Sequence, residues 1–179
     1  MQFTQVGMLF AWGGSPSLPT RQFMDYVIGI GEYLVIKGDG NRLITYALAS
    51  CVAVTFYFEE MKIAGMIHIA LPEALSSYNA ENRPGYYAEL GLPILLTKLR
   101  NSYQCDLSKG KIFLIGGANS VKEYDHFRVG ERNISKVKSI LNENNIKYNT
   151  DEVGGTVSRT VVLEVSTGNI TIDYQDIVI

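Results

Sequence analysis

Apolar residues recur at alternate or consecutive positions along the chain from residue 26 onward, in short runs that end near Gly, Pro, Asn or Asp. Runs of this length that are rich in β-branched and aromatic residues indicate strands. The predicted strands are residues 26–37, 42–58 as one or two strands, 62–72, 111–117, and a hairpin over 159–173 that turns at 167–169. Strands outnumber helices, so the pattern predicts an α+β fold: a mixed or antiparallel β-sandwich with flanking helices.

Two segments, residues 84–100 and 131–145, have the spacing of amphipathic helices. Gly91 and Pro93 interrupt the first of them. Proline removes a backbone donor and clashes with the preceding turn. We therefore expect this helix to kink or to begin late.

The chain is predicted to form one domain. Its 179 residues contain no internal repeat and no Ser/Gly/Pro-rich linker after the first two dozen positions. The domain is expected to begin near Tyr26, after an N-terminal extension formed by residues 1–26.

The composition excludes several classes of protein. Hydrophobic residues make up 46% of the chain, charged residues 19%, and the formal net charge is −2, which argues against disorder and against a nucleic-acid-binding surface. Cys51 and Cys105 have neither the density nor the spacing of a secreted disulfide scaffold. No apolar stretch is long enough to span a bilayer, and the apolar patch at residues 6–12 follows no basic residue. These features predict a reduced, cytoplasmic protein without direct membrane insertion.

The segment TYALASCVAV (45–54) places a thiol within an apolar run whose alternate positions are small. If the strand is regular, one face carries only Thr, Ala and Cys side chains, at positions 45, 47, 49, 51, 53 and 55. That face would leave a shallow trough through which a substrate could reach Cys51. An unpaired cysteine in such a run is, however, more often a small buried hydrophobe than a nucleophile.

The following strand contains a candidate base, His68, on its less apolar face. If the two strands form a hairpin with a two-residue turn at 59–60, Cys51 lies directly opposite His68, with Cβ atoms about 4.5–5.5 Å apart. A four-residue loop over 59–62 would make them diagonal neighbours at about 7–8 Å. A slip of one residue would put them on opposite faces. The register therefore decides whether the two side chains can meet.

A neighbouring histidine would change the chemistry of the thiol. A free cysteine has a pKa of about 8.5, whereas a histidine beside it can accept its proton and stabilise the ion pair. A histidine between two isoleucines is also commonly a hydrogen-bonded core residue. The residues alone leave the catalytic and structural interpretations of His68 open.

Other motifs carry weaker signals. GIGEYL (29–34) resembles half of a dinucleotide-binding fingerprint but lacks the third glycine. The glycine pairs 116–117 and 154–155 could form anion-binding nests, although turns beside short strands explain them more simply. His126 is interpreted as a loop residue without a catalytic role. Two histidines and two cysteines scattered along the chain make a poor zinc site, so no metal or cofactor is predicted.

Seven short motifs occur in order along the chain: GIGEY (29–33), SCVAV (50–54), GMIHIALP (65–72), IGGAN (115–119), VGERNI (129–134), DEVGGTVSR (151–159) and TGNI (167–170). In this order and spacing they resemble CheD, the chemoreceptor glutamine deamidase family of bacterial and archaeal chemotaxis. The resemblance covers nearly all of residues 27–172, which we predict to be the CheD-like deamidase domain. Residues 173–179 would form a C-terminal tail.

The resemblance implies a cysteine hydrolase on an α/β sandwich, similar to bacterial toxins that deamidate host GTPases. It puts the family nucleophile on Cys51, the family base on His68 and a third polar residue on Thr45. Contacts with the oxyanion or the substrate are expected from Ser50 and Ala49. The family acts on glutamines in the cytoplasmic helical bundle of methyl-accepting chemoreceptors. Its partners include the phosphatase CheC, which competes with receptors for CheD.

One position departs from the family pattern. The family usually reads Gly-Ser-Cys at the nucleophile, whereas this chain has Ala49 in place of the glycine. If that glycine served a close approach or a positive φ, the additional methyl group would crowd the substrate or strain the turn. Two functions therefore stay open: a protein-glutamine deamidase, or a weakly active regulator that docks to a CheC-type phosphatase or to receptors.

Overall fold

The computed structural model describes residues 23–74, 81–119 and 127–177, and within these ranges the chain forms nine strands and two long α-helices. The strands are β1 (Met24–Val27), β2 (Tyr33–Lys37), β3 (Asn41–Leu48), β4 (Val52–Phe58), β5 (Ile63–Ile69), β6 (Lys111–Gly116), β7 (Asn149–Val153), β8 (Val157–Glu164) and β9 (Ile170–Asp176). The helices are α1 (Ala88–Asn101) and α2 (Val129–Glu143).

The strands form two sheets. A four-stranded sheet has the order β1-β3-β8-β9, and a five-stranded sheet has the order β2-β5-β4-β6-β7. The β1·β3 and β6·β7 ladders are parallel, and the other ladders are antiparallel. The described chain is therefore mixed α/β with two sheets and helices, consistent with the α+β class predicted from the excess of strands.

Two apolar clusters separate the sheets and helices into layers. One cluster, which includes Ala53 and Met66, lies between the two sheets. The other, which includes Val54 and Ile67, lies between the five-stranded sheet and the helices. Every residue of β4 is buried, because alternate residues face the two clusters. Burial on both faces explains why this strand reads as a continuous apolar run.

The prediction of one strand over residues 26–37 is wrong. The segment contains the end of β1 and all of β2, which belong to different sheets. The turn between them has Gly31 at φ 80°, and the Gly29 N–H donates to Glu32 Oε2 at 2.8 Å. A left-handed residue ends the extended conformation, and glycine adopts it at little steric cost.

The predicted single row of small side chains from position 45 to 55 is also wrong. β3 and β4 belong to different sheets, and β3 has one residue more than its partner β8 between Thr45 and Leu48. This β-bulge leaves Tyr46 and Ala47 both exposed, with Ala47 at φ 55°, while Thr45 and Leu48 are buried. The chain then crosses to the other sheet before β4 begins.

The other predicted elements are present with shifted ends. α1 begins at Ala88, after a 3-10 turn at Pro84–Tyr86, so the helix starts late as expected, and Pro93 lies inside it. α2 begins and ends two residues before the predicted segment 131–145. The hairpin predicted at 167–169 is confirmed as the turn between β8 and β9. β7 was not predicted.

The proposed ends of the domain fall inside strands. Residue 26 belongs to β1, which pairs with β3, and β9 continues from residue 170 to Asp176. Residues 1–22, and with them most of the predicted extension, lie outside the described residues, as does His126.

A close backbone contact beside β5 involves glycines. A Cβ atom on Gly91 of α1 would lie 2.6 Å from Gly85 Cα and 2.9 Å from Ile67 Cδ1, and one on Gly85 would meet Gly31 O. The Gly31 N–H in turn donates to the carbonyl of His68 at 2.8 Å. The helix therefore supports the turn that pairs with the strand carrying His68.

We predict that Gly91→Ala lowers the free energy of unfolding by about 1–3 kcal/mol, because the new methyl group overlaps backbone that cannot move independently. The usual effect of Gly→Ala inside a helix is a gain of about 1 kcal/mol. Urea unfolding followed by circular dichroism measures the change. The control is Thr97→Ala, at an exposed position of the same helix, which should change stability by less than about 0.5 kcal/mol. An unchanged or raised stability of Gly91→Ala would contradict the contact.

Candidate active site

Cys51 lies where the chain crosses from one sheet to the other. Residues 49–51 connect β3 to β4, and Cys51 immediately precedes β4. Its side chain is a free, partly buried thiol that packs against the cluster between the sheets. The sulfur is therefore at the end of a strand, next to the space between the two sheets.

Hydrogen bonds hold all three carbonyl groups of residues 49–51. The Ala118 N–H donates to the first at 2.8 Å, Asn133 Nδ2 donates to the second at 2.9 Å, and the Gly117 N–H donates to the third at 2.8 Å. Two of these donors are backbone groups that follow β6, and one is a side chain of α2. Three donors from two elements fix the backbone conformation of this turn.

The glycine pair after β6 permits this arrangement. Gly116 has φ 103°, and a Cβ atom on it would lie 2.5 Å from Cys51 O. The Gly117 N–H is bonded to Cys51 O, and the Gly154 N–H is bonded to Gly116 O at 2.8 Å. Because these two amides already have protein acceptors, the interpretation of the glycine pairs as turns is supported over that of anion-binding nests.

His68 lies in β5, between β2 and β4, and its side chain is only 2% exposed. Its backbone N–H donates to Glu32 O at 3.0 Å, and its carbonyl accepts from the Gly31 N–H at 2.8 Å. The backbone of His68 is therefore fixed by the turn that precedes β2.

The register of β4 and β5 makes Cys51 and His68 diagonal neighbours. The loop 59–62 joins the two strands and puts Ala53 opposite His68. Cys51 is two residues before Ala53 and so belongs to the same face, where diagonal Cα atoms are about 7–8 Å apart and Cβ atoms somewhat closer. The four-residue loop is the second of the registers considered from the sequence, and the directly opposed register is wrong.

Thr45 reaches His68 from the other sheet. Its Oγ1 lies 2.7 Å from His68 Nδ1 and 2.8 Å from Ile28 O. A carbonyl oxygen only accepts, so the hydroxyl hydrogen points to Ile28, and His68 Nδ1–H donates to the hydroxyl oxygen. His68 Nε2 is then the unprotonated nitrogen of a neutral ring. It is buried and has no hydrogen-bond partner in the described part of the chain.

Burial keeps both reactive groups neutral. Loss of contact with water lowers the pKa of His68 to about 4, and the nearby backbone carbonyl of Ile28 opposes this shift only in part. Burial also raises the pKa of the Cys51 thiol, against the smaller opposing effect of the residue's own backbone N–H. The resting site at pH 7 therefore favours a thiol and a neutral imidazole over the ion pair that the sequence suggested.

The backbone of Ala49 and Ser50 borders the thiol. Both residues are partly buried. The positive φ in this region belongs to Ala47, not to Ala49, so the conformation at Ala49 does not require a glycine. Within the described residues, no oxygen acceptor is bonded to the amides of Ser50 and Cys51, and the Cys51 N–H lies near its own sulfur.

Two contributors to the site were not identified from the sequence. Ile28 supplies a backbone carbonyl, which no sequence signal marks. Asn133 is fully buried and shares the buried face of α2 with Val137, Ile140 and Leu141. A polar residue on an apolar helical stripe is the signal that could have identified it, because a buried amide needs hydrogen-bond partners.

The second cysteine is separate from this site. Cys105 packs in the cluster between the five-stranded sheet and the helices, where burial raises the pKa of its thiol. Among the described residues there is no group of three or more His, Cys, Asp or Glu side chains that could hold a metal ion. The helices in those ranges are too short or too polar to cross a membrane.

The family model and the relatives that match this chain are those of CheD proteins. The family model described as CheD chemotactic sensory transduction matches residues 70–174. The probable chemoreceptor glutamine deamidase CheD of Syntrophotalea carbinolica is 43% identical over 150 residues, which cover 83% of this chain and 93% of that protein. The corresponding CheD 1 of Syntrophus aciditrophicus is 32% identical over 82% of this chain and 91% of its own length. The probable CheD of Pyrococcus abyssi is 35% identical over 80% of this chain and 87% of its own length.

The matches include different residues of the candidate site. The family-model match begins after His68. The alignment with the S. carbinolica protein omits fewer residues than precede Thr45, so it includes Thr45, Cys51 and His68. Among solved structures, the crystal structure of the Bacillus licheniformis hypothetical protein YfiH has a TM-score of 0.37 and 12% identity, covering 68% of this chain and 45% of that one. That similarity is too weak to support a conclusion.

We predict that the rate of Cys51 alkylation by iodoacetamide rises about tenfold per pH unit up to at least pH 8.5, without a plateau near neutrality. The raised pKa of this thiol leaves less thiolate at pH 7 than a free cysteine has. Mass spectrometry of a Cys105→Ser variant, in which Cys51 is the remaining cysteine, measures the rate. A plateau below pH 7 would instead indicate a preformed thiolate–imidazolium pair.

Proposed function

Because the chain belongs to the CheD family, we propose that it is a protein-glutamine deamidase that converts glutamines on the cytoplasmic part of chemoreceptors to glutamates in chemotaxis. The names of the relatives supply the reaction and the substrate class. The observation that carries the proposal is the buried hydrogen bond between Thr45 and His68, on the face of β5 that Cys51 shares. A thiol beside an oriented imidazole is suited to acyl transfer from a carboxamide. The fold would then be of the cysteine hydrolase type.

The first chemical step is acylation of Cys51. As the sulfur attacks the carboxamide carbon, His68 Nε2 takes the thiol proton, and the imidazolium then gives a proton to the departing nitrogen. The C–N bond breaks, ammonia leaves, and a thioester joins the substrate to Cys51. Because the resting pair is neutral, proton transfer accompanies the attack instead of preceding it.

The second step is hydrolysis of the thioester. His68 Nε2 takes a proton from water, the resulting hydroxide equivalent adds to the thioester carbonyl, and the C–S bond breaks. The sulfur recovers its proton from the imidazolium. The substrate leaves as glutamate, and the site returns to its neutral form.

Both steps pass through a tetrahedral oxyanion, which needs fixed donors. The backbone amides of Ser50 and Cys51 are the proposed donors, since neither is bonded to an oxygen acceptor among the described residues. Their neighbouring carbonyls are held by other residues, so the amides keep their direction while charge develops. A donor of this kind contributes roughly 3–4 kcal/mol to stabilisation of the transition state.

A CheC-type phosphatase is proposed as a binding partner on the family resemblance alone. A regulator that acts only by docking would bind the phosphatase and receptors without converting glutamine. The position of Ala49 outside the positive-φ region removes backbone strain as a reason to expect a weakened enzyme, and this favours the deamidase over the regulator.

We predict that Cys51→Ala abolishes deamidation of purified chemoreceptor fragments, because the thioester cannot form. The mass increase that accompanies conversion of glutamine to glutamate measures the reaction. Cys105→Ala is the matched control and should convert glutamine within about threefold of the wild-type rate, since this thiol lies on the other side of the five-stranded sheet. Normal conversion by Cys51→Ala would exclude the mechanism, and conversion by neither variant nor wild type would favour the docking regulator.

We predict that Thr45→Val lowers kcat by roughly 10- to 100-fold, because the imidazole loses the acceptor that holds the hydrogen on Nδ1. Thr45→Ser retains the hydroxyl group and should stay within about fivefold of wild type. Steady-state kinetics on the same receptor fragments compares the two variants, after circular dichroism has shown that both are folded. Equal activities of the Val and Ser variants would assign Thr45 a packing role only.

A further inference from the structure

The side chain of Asn133 bridges the turn that carries the nucleophile and the strand that carries the base. Its Nδ2 donates to Ser50 O and to Ala70 O, both at 2.9 Å. Ser50 immediately precedes Cys51, and Ala70 follows His68 by two residues. One side-chain nitrogen of α2 is therefore hydrogen-bonded to backbone carbonyls close in sequence to both members of the proposed catalytic pair.

The two acceptors determine the orientation of this amide. A carbonyl oxygen accepts only, so the group that faces both carbonyls has to be the NH₂ and not the oxygen. Asn133 is fully buried, and its Oδ1 has no hydrogen-bond partner among the described residues. The side chain thus uses both donor hydrogens on Ser50 and Ala70 and leaves its acceptor unpaired. An arrangement that leaves a buried acceptor unpaired indicates that the two donated hydrogen bonds are important.

The bond to Ser50 O also fixes the direction of a neighbouring N–H. The carbonyl of Ser50 and the amide of Cys51 belong to one peptide unit, which is planar and trans. Holding the carbonyl toward Asn133 therefore holds the Cys51 N–H in the opposite direction. The carbonyls of residues 49 and 51 are held by backbone amides, which no side-chain substitution removes. The bond to Ser50 can be deleted through Asn133 alone.

We propose that Asn133 is a positioning residue, which orients the Cys51 N–H as an oxyanion donor and sets the spacing between the nucleophile turn and β5. The proposal rests on the deamidase function. Asn133 does not touch the substrate, so its loss should affect the rate of the chemical step more than substrate binding.

The test compares Asn133→Leu, which keeps the branched shape of the side chain, and Asn133→Ala with wild type. Val137→Ala is the matched control: Val137 is fully buried one helical turn further along α2, and its truncation leaves a cavity without removing a hydrogen bond. All variants carry Cys105→Ser, so that one cysteine remains. Thermal unfolding establishes that each variant is folded. If only one of the two Asn133 variants folds, that variant is sufficient for the test.

With receptor fragments as substrate, we expect both Asn133 variants to lose about 10- to 100-fold in kcat, with KM within about threefold of wild type. Val137→Ala should keep kcat within about threefold even where it is equally destabilised. A kcat that falls no further in the Asn133 variants than in Val137→Ala overturns the inference.

A second readout does not depend on the substrate. The Cys51 N–H also lies near its own sulfur, so misorientation of that amide should move the pH midpoint of iodoacetamide alkylation upward in the Asn133 variants and not in Val137→Ala. An unchanged midpoint overturns the inference. If wild type converts no glutamine but the midpoint still rises, the deamidase proposal fails while the positioning role of Asn133 stands.

Discussion

The hydrogen bond between Thr45 and His68 joins the two sheets through a pair of buried polar side chains. Apolar contacts between sheets tolerate small shifts, whereas a hydrogen bond requires a defined distance and direction. The Thr45 hydroxyl also donates to Ile28 O. Each group in this series of hydrogen bonds is therefore fixed as a donor or an acceptor, and the imidazole has a single tautomer. The lone pair on Nε2, which the proposed chemistry needs, exists because of that assignment.

The same burial determines how the site behaves at rest. A histidine whose pKa is about 4 is unprotonated at every pH well above that value, so His68 can accept a proton throughout the neutral range. The thiol, with its raised pKa, is a poor nucleophile until another group accepts its proton and the developing negative charge is stabilised. A thiol with a raised pKa resists adventitious reaction, and in the proposed mechanism its activation depends on the arrival of a carboxamide.

The conformation of the turn at residues 49–51 depends on backbone contacts more than on side chains. A β-bulge at Ala47 and the crossing between sheets bring residues 49–51 beside the end of β6, where the glycine pair 116–117 allows the two backbones to approach. The Asn133 side chain completes this set from a helix on the other side of the five-stranded sheet. Amides held in this way need no reorganisation as an oxyanion forms, which is the physical basis of preorganised stabilisation.

The sequence by itself determined the features that depend on near neighbours. Apolar runs located β4, β5 and β6, helical spacing located both helices, alternation put His68 on the less apolar face of its strand, and the ordered motifs identified the family. Only the tertiary structure decided that Thr45 approaches from the other sheet, that the loop 59–62 sets a diagonal register, that the reactive groups are neutral, and that Asn133 bonds to the turn. Alternation is a property of consecutive residues, whereas sheet membership, register and desolvation arise from contacts between segments far apart in the chain.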